Sequence, residues 1–142
     1  MSLNVLVVDD SSVMRGIIIK TLRLCGVPLG EVHEAANGQE GLDVLAKNWV
    51  DLALVDINMP VMNGEEMIEK VRENPETRDL QVIVVSTESS ETRIEMLQKR
   101  DVGFVHKPFS PEVLRNTIAE MIGGIDGERS EESVASISGP DF

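Results

Sequence analysis

Three short apolar runs each stop at a polar residue: Val5 to Val8 ahead of Asp9, Leu52 to Val55 ahead of Asp56, and Val82 to Val85 ahead of Ser86. They are rich in Val and do not alternate with polar residues, which suits strands covered on both faces, as in a parallel sheet. Val32 to Ala36 and Val102 to His106 are weaker strand candidates. Helix-like stripes lie between and after these runs. Met14, Ile17, Ile18, Thr21, Leu22 and Cys25 recur at helical spacing, and Gly26 is placed to end that stripe. Asn37 with Glu40 reads as a helix cap ahead of Leu42 and Leu45; Gly64, Met67, Ile68 and Val71 form a third stripe that stops before Asn74-Pro75. Ile94 and Leu97 mark a more polar fourth helix, and Ser110-Pro111 opens a fifth carrying Leu114, Ile118, Met121 and Ile122. Strand and helix thus alternate five times, the pattern of an α/β fold with right-handed crossovers and helices on both faces of a parallel sheet.

The chain of 142 residues is the size of one domain. Its formal charge is −12; residues 126 to 142 hold five acids and one Arg, so residues 1 to 125 carry 20 acids against 12 bases, or −8. That balance speaks against a nucleic-acid surface, which needs a basic stripe. One cysteine, Cys25, excludes an internal disulfide and offers no paired-cysteine zinc site. The first apolar run is too short for a membrane span of about 20 residues and lacks the basic flank of a signal peptide, so a cytoplasmic protein without membrane contact is expected. Residues 1–122 read as one domain; residues 123–142, rich in Gly, Ser and Glu, read as an acidic tail or linker, with Val134 to Ile137 and Phe142 as its candidate anchors.

In such a sheet the ligand crevice lies beyond the carboxyl ends of the strands. Four of the five ends carry polar chemistry: Asp9 and Asp10, Asp56, Ser86 and Thr87, and Lys107 before Pro108. Each alone has an ordinary explanation, since Asp10 or Ser86-Thr87 suits a helix cap and Lys107-Pro108 a turn. Together they do not. Like charges repel by roughly 4 kcal/mol per pair at 4 Å and an effective dielectric near 20. A divalent cation offsets that repulsion, and a few carboxylates with a carbonyl and room for water suit Mg²⁺, with Mn²⁺ as an alternative. A hard cation, a lysine, a hydroxyl and a strand-end carboxylate are also parts for phosphoryl transfer, with Asp56 as the better nucleophile.

These residues resemble a known family. Val7-Val-Asp-Asp-Ser11 with Met14-Arg15, Leu54-Val-Asp56-Ile-Asn-Met-Pro60 with Gly64, Val85-Ser86, and Lys107-Pro-Phe109 are together similar to the receiver domain of bacterial response regulators, nearest to stand-alone chemotaxis receivers of the CheY type. The resemblance runs from about Leu3 to Met121. It implies a flavodoxin-like (βα)5 three-layer sandwich with strands in the order 2-1-3-4-5. It further implies that Asp56 accepts a phosphoryl group from a histidine kinase of the CheA kind, that Asp9, Asp10, Asp56 and the Asn58 backbone carbonyl hold Mg²⁺, and that Ser86, Thr87 and Lys107 line the phosphoryl site. Phe104 matches an aromatic switch, and the Lys107-Pro108 bond the family's usual cis peptide. In the family these changes alter the surface of the fourth helix, fifth strand and fifth helix for a protein target, such as a flagellar motor switch or a phosphatase. A monomeric signalling switch rather than an enzyme is implied.

Some positions depart from the common pattern. Thr87 stands where Ala or Gly is usual, Phe104 where Tyr is frequent, and His106 where an apolar residue is usual. Asn58 and Glu88 occupy variable positions that tune dephosphorylation, and this pair looks like the fast-turnover chemotaxis members. His33 and His106 read as bystanders, Trp49 and Met62 as packing. Other readings are a receiver fragment of a longer regulator, a phosphorelay intermediate, an aspartyl phosphatase, which wants a second Asp where Asn58 stands, and a flavin module, whose phosphate Asp9 and Asp10 would repel.

Overall fold

The computed structural model describes residues 2–123. The order of elements is β1 (Leu3–Val8), α1 (Ser12–Leu24), β2 (Leu29–Ala35), α2 (Gly38–Lys47), β3 (Leu52–Val55), α3 (Gly64–Glu73), β4 (Gln81–Ser86), α4 (Glu91–Gln98), β5 (Val102–His106) and α5 (Pro111–Ile122). All strand pairs are parallel, in the order β2-β1-β3-β4-β5. The acidic tail assigned to residues 123–142 lies, from residue 124 with its candidate anchors, outside the described residues.

Strand residues divide by parity between two cores. Val5, Val7, Leu52, Leu54, Ile83, Val85 and Val105 pack with Ile18 and Leu22 of α1 and Leu114 and Ile118 of α5. Leu6, Val8, Ala53, Val55, Val82 and Val84 face the other way, onto Met67, Ile68 and Val71 of α3 and Leu97 of α4. Each fully buried side chain of this size contributes roughly 1.5–3 kcal/mol over its exposed state, which explains why the runs show no polar alternation.

Several local readings change. The strand expected at Val32 to Ala36 begins at Leu29, because a half-exposed edge strand tolerates Gly30 and Glu31 among its first residues. Ser86 belongs to β4 itself, opposite His106. The cap of α1 is Ser11, whose Oγ accepts from Met14 N at 3.1 Å, not Asp10. Ser90 caps α4, so Ser86 and Thr87 do not. Ile17 is exposed on α1 while Ile18 is buried. Met62 packs against the second core as expected, but Trp49 does not pack: 75% of it is exposed, beyond the end of α2.

The link from β3 to α3 is built tightly. Val61 has φ 66°, a left-handed value that costs a β-branched residue energy, and it sits inside a turn in which Met62 N donates to Pro60 O at 2.7 Å. Met62 O then accepts from Gly38 N at 2.9 Å, tying the loop to the start of α2. A reciprocal cap of Asn63 and Glu66 starts α3. Gly64 N donates to Ile57 O, and a Cβ at Gly64 would lie 2.2 Å from the Asp56 carbonyl oxygen and 3.0 Å from two further backbone atoms. Gly64→Ala is therefore expected to lower unfolding stability by about 3 kcal/mol in urea titration, since the atoms it would meet are backbone atoms of Asp56 and Ile57 rather than a movable side chain. A loss below about 1 kcal/mol would show that the loop yields.

Candidate phosphoacceptor site

Register brings the acidic residues together. Val8 of β1 lies beside Val55 of β3, and Asp56 N continues the ladder to Val8 O at 2.9 Å, so Asp9 and Asp56 leave adjacent strands side by side. Asp10 follows at once. Each of the three offers a carboxylate oxygen, and these atoms lie within 4.8 Å of one another. Their settings differ: Asp9 is buried, Asp56 half-buried and Asp10 exposed.

Lys107 arrives from β5, held because its N donates to Ser86 O at 2.9 Å. Its ammonium is 3.0 Å from Asp9 Oδ2 and 3.7 Å from Asp56 Oδ1. Asp9 Oδ1 accepts from Ser11 N at 2.9 Å, and Asp56 Oδ1 from Ile57 N at 2.9 Å. The Lys107-Pro108 bond is cis. Arg15 adds a second cation behind the pocket: Nη1 donates to the Asp9 carbonyl at 2.7 Å while Nε pairs with Glu34 at 2.9 Å.

One lysine against three carboxylates leaves the cluster with two uncompensated negative charges when all are ionised. Burial pushes the Asp56 carboxyl above the ordinary carboxylate range; Lys107 pulls it down, and Asp9 and Asp10 push it up again. Hard carboxylate oxygens on converging strand ends fit a Mg²⁺ or Mn²⁺ ion. Among the described residues no donor reaches the carbonyl of exposed Asn58, whereas that of Ile57 is taken by Gly64 N.

Ser86 and Thr87 lie at the same rim with different exposures, whereas Phe104 lies within β5, opposite Val84. Ser86 is fully buried, and its Oγ accepts from Glu88 N at 3.1 Å; Thr87 is exposed. Phe104 is half-buried, its ring edge-on to exposed His106 with centroids 4.8 Å apart.

Sequence reading missed a network that closes the rim between α3 and α4. Arg93 donates to Glu88 Oε1 at 2.9 Å and to Glu65 Oε1 at 2.6 Å, while Glu88 Oε2 accepts from Ser90 N. The Glu88-Arg93 half is near in sequence and could have been sought. Glu65 is 28 residues from Arg93, and no local pattern points to it.

Residues 5–119 match the response regulator receiver domain family. The chain belongs to this family. A chemotaxis protein CheY homolog of Campylobacter jejuni is 39% identical over 132 residues, spanning 92% of this chain and 100% of that protein. Chemotaxis protein CheY1 of Helicobacter pylori is 36% identical over 126 residues, spanning 87% of this chain and 100% of its own length. The solved structure of chemotaxis response regulator CheY4 of Vibrio cholerae is similar at a TM-score of 0.75 and 32% identity, over 86% of this chain and 100% of that one.

Membership and geometry give this receiver a pH signature in its metal-free form. The folded Asp56 carboxyl binds its proton more readily than the unfolded one, so its ionisation lowers stability as pH rises from the ordinary value of about 3.9 through the raised folded value. Asp56→Asn is expected to raise unfolding stability at neutral pH in the presence of a chelator. The gain should vanish as pH falls below the ordinary carboxylate value. A gain that is constant with pH, or a loss at neutral pH, contradicts this reading.

Proposed function

We propose that this receiver takes a phosphoryl group onto Asp56 from the phosphohistidine of a sensor kinase and thereby switches a protein-binding surface. The carrying observation is the convergence of Asp9, Asp10, Asp56 and Lys107 at one rim of a rigid parallel sheet. Asp56 supplies the nucleophile: a carboxylate oxygen bonds to phosphorus, the phosphorus–nitrogen bond breaks, and its electron pair leaves with the imidazole, which takes up a proton. Asp9, Asp10, Asp56 and the Asn58 carbonyl would hold Mg²⁺, which supplies positive charge against the phosphoryl oxygens. Lys107 already stands between Asp9 and Asp56, and its ammonium pairs with the added anion without a large movement. The Ser86 hydroxyl keeps a proton to donate to a phosphoryl oxygen even while it accepts from Glu88 N. Phe104, half-buried within β5, takes the part of the aromatic switch, and helix α4, β5 and α5 form the responding surface.

The relatives' names support chemotaxis as the setting, with a CheA-like kinase upstream and a motor switch or phosphatase as target. The role is that of a switch in the cytoplasm rather than of an enzyme with a separate substrate, since Asn58 cannot serve as the second acid of an aspartyl phosphatase. Among the described residues no helix is long and apolar enough to cross a membrane.

Incubation with acetyl phosphate and Mg²⁺ tests the chemistry. Intact-mass analysis should show one phosphoryl group on wild type and none on Asp56→Asn, and labelling should slow by about a hundredfold in Lys107→Ala, the scale seen when one charge-stabilising donor is lost. Equal labelling of wild type and Asp56→Asn would overturn the assignment.

A further inference from the structure

The exposed Trp49 borders a cleft at the far end of the sheet. The cleft has a volume of about 390 Å³ and runs between the end of α2 and the loop from α3 to β4. Val50 and Asp51 precede β3 and Leu80 precedes β4, so it opens at the amino ends of the strands. Asp51 and Asp56 are five residue steps apart along extended chain, roughly 16 Å at about 3.3 Å each. A molecule bound there leaves the phosphoacceptor open.

Both walls are held in place. Trp49 Nε1 donates to Asp51 Oδ1 at 3.0 Å, and Asp51 Oδ2 in turn accepts from Asn4 N at 2.8 Å, so the indole is pinned although most of its surface meets solvent. Across the cleft, Glu76 N donates to Asn74 Oδ1, Thr77 Oγ1 donates to Val71 O at 2.8 Å, and Arg72 Nη1 donates to Leu80 O at 2.7 Å from behind. A preformed cleft with a fixed aromatic wall loses little freedom when it is filled.

Charge selects the occupant. The residues lining the cleft include Asp51, Glu76 and Asp79 and no basic side chain; Asp79 feels the charge of Arg72 from outside the lining, and Glu76 has no ion-pair partner among the described residues. The chain's own segment beyond residue 125, with five acids against one Arg, and a second copy carrying −12 both have the wrong sign. Leu45, Val50 and Leu80 supply an apolar floor. We propose that this cleft is a docking site for a partner-protein segment that presents an arginine beside an aliphatic side chain. The guanidinium stacks on the Trp49 indole and pairs with Glu76 or Asp79, and the aliphatic group enters the floor.

The test is a displayed library of random peptides selected on the full chain. Enriched peptides should share an Arg next to Leu, Ile or Val. A synthetic copy of the leading peptide should change the fluorescence of Trp49, the sole tryptophan, in a saturable way. Affinity should fall at least tenfold for the Glu76→Lys, Asp79→Lys double variant, and likewise for Trp49→Ala when measured by calorimetry. Circular dichroism confirms that these exposed substitutions leave the fold intact, and Asp56→Asn should bind as wild type does. No enrichment, enriched peptides without a basic residue, or equal affinity for the charge-reversed variant overturns the proposal.

Discussion

Electrostatic repulsion among three carboxylates on adjoining strand ends is the constraint around which this receiver is arranged. Asp9, Asp10 and Asp56 bring oxygens within 4.8 Å of one another, where each pair of charges costs roughly 4 kcal/mol at an effective dielectric near 20. A chain free to relax would swing them apart. The parallel ladder does not allow it, because the Val8-Val55 register fixes the two strand ends and buried side chains grip both faces of the sheet. Lys107 offsets part of the charge from β5, and its own position depends on Ser86 through a backbone bond. A cation and a phosphoryl group bound as proposed would relieve that cost.

The loops show how that arrangement is kept rigid. Gly64 lets α3 start against the Asp56 carbonyl, the Val61 turn hands the loop to α2, and the Asn63 cap closes the helix start. On the other side, Glu88, Arg93 and Glu65 join the loop that follows Ser86 to α3. A carboxylate at the end of a short, fully buried strand has little freedom of direction, which would suit the line of attack proposed for Asp56.

Much of this was legible in the sequence, for a physical reason. A strand buried on both faces is apolar throughout, so its end appears as an abrupt change to a polar residue. Asp9, Asp56 and Ser86 stand at such changes, whereas Lys107 follows exposed His106 at the end of the less buried β5. The edge strand β2 was harder to bound, since half of its residues meet solvent and Leu29-Gly-Glu31 looks like a loop. Helix caps are ambiguous in the sequence where several acceptors adjoin, as at Asp10-Ser11 and Ser86-Ser90, and the structure gives them to Ser11 and Ser90. Trp49 was misread because size and hydrophobicity suggest burial, while its exposure follows from the sharp exit of the chain after α2 and the pull of Asp51. The Arg93 bridge to Glu65 depends on how α3 and α4 lie in space, and no local spacing encodes that.

Carbon-detected NMR titration of the Asp56 side-chain carboxyl, without and with saturating Mg²⁺, tests the electrostatic account most directly. The pKa should lie above the ordinary carboxylate range in the metal-free protein and fall by a large amount when the ion is added. An unshifted pKa that ignores Mg²⁺ would contradict it.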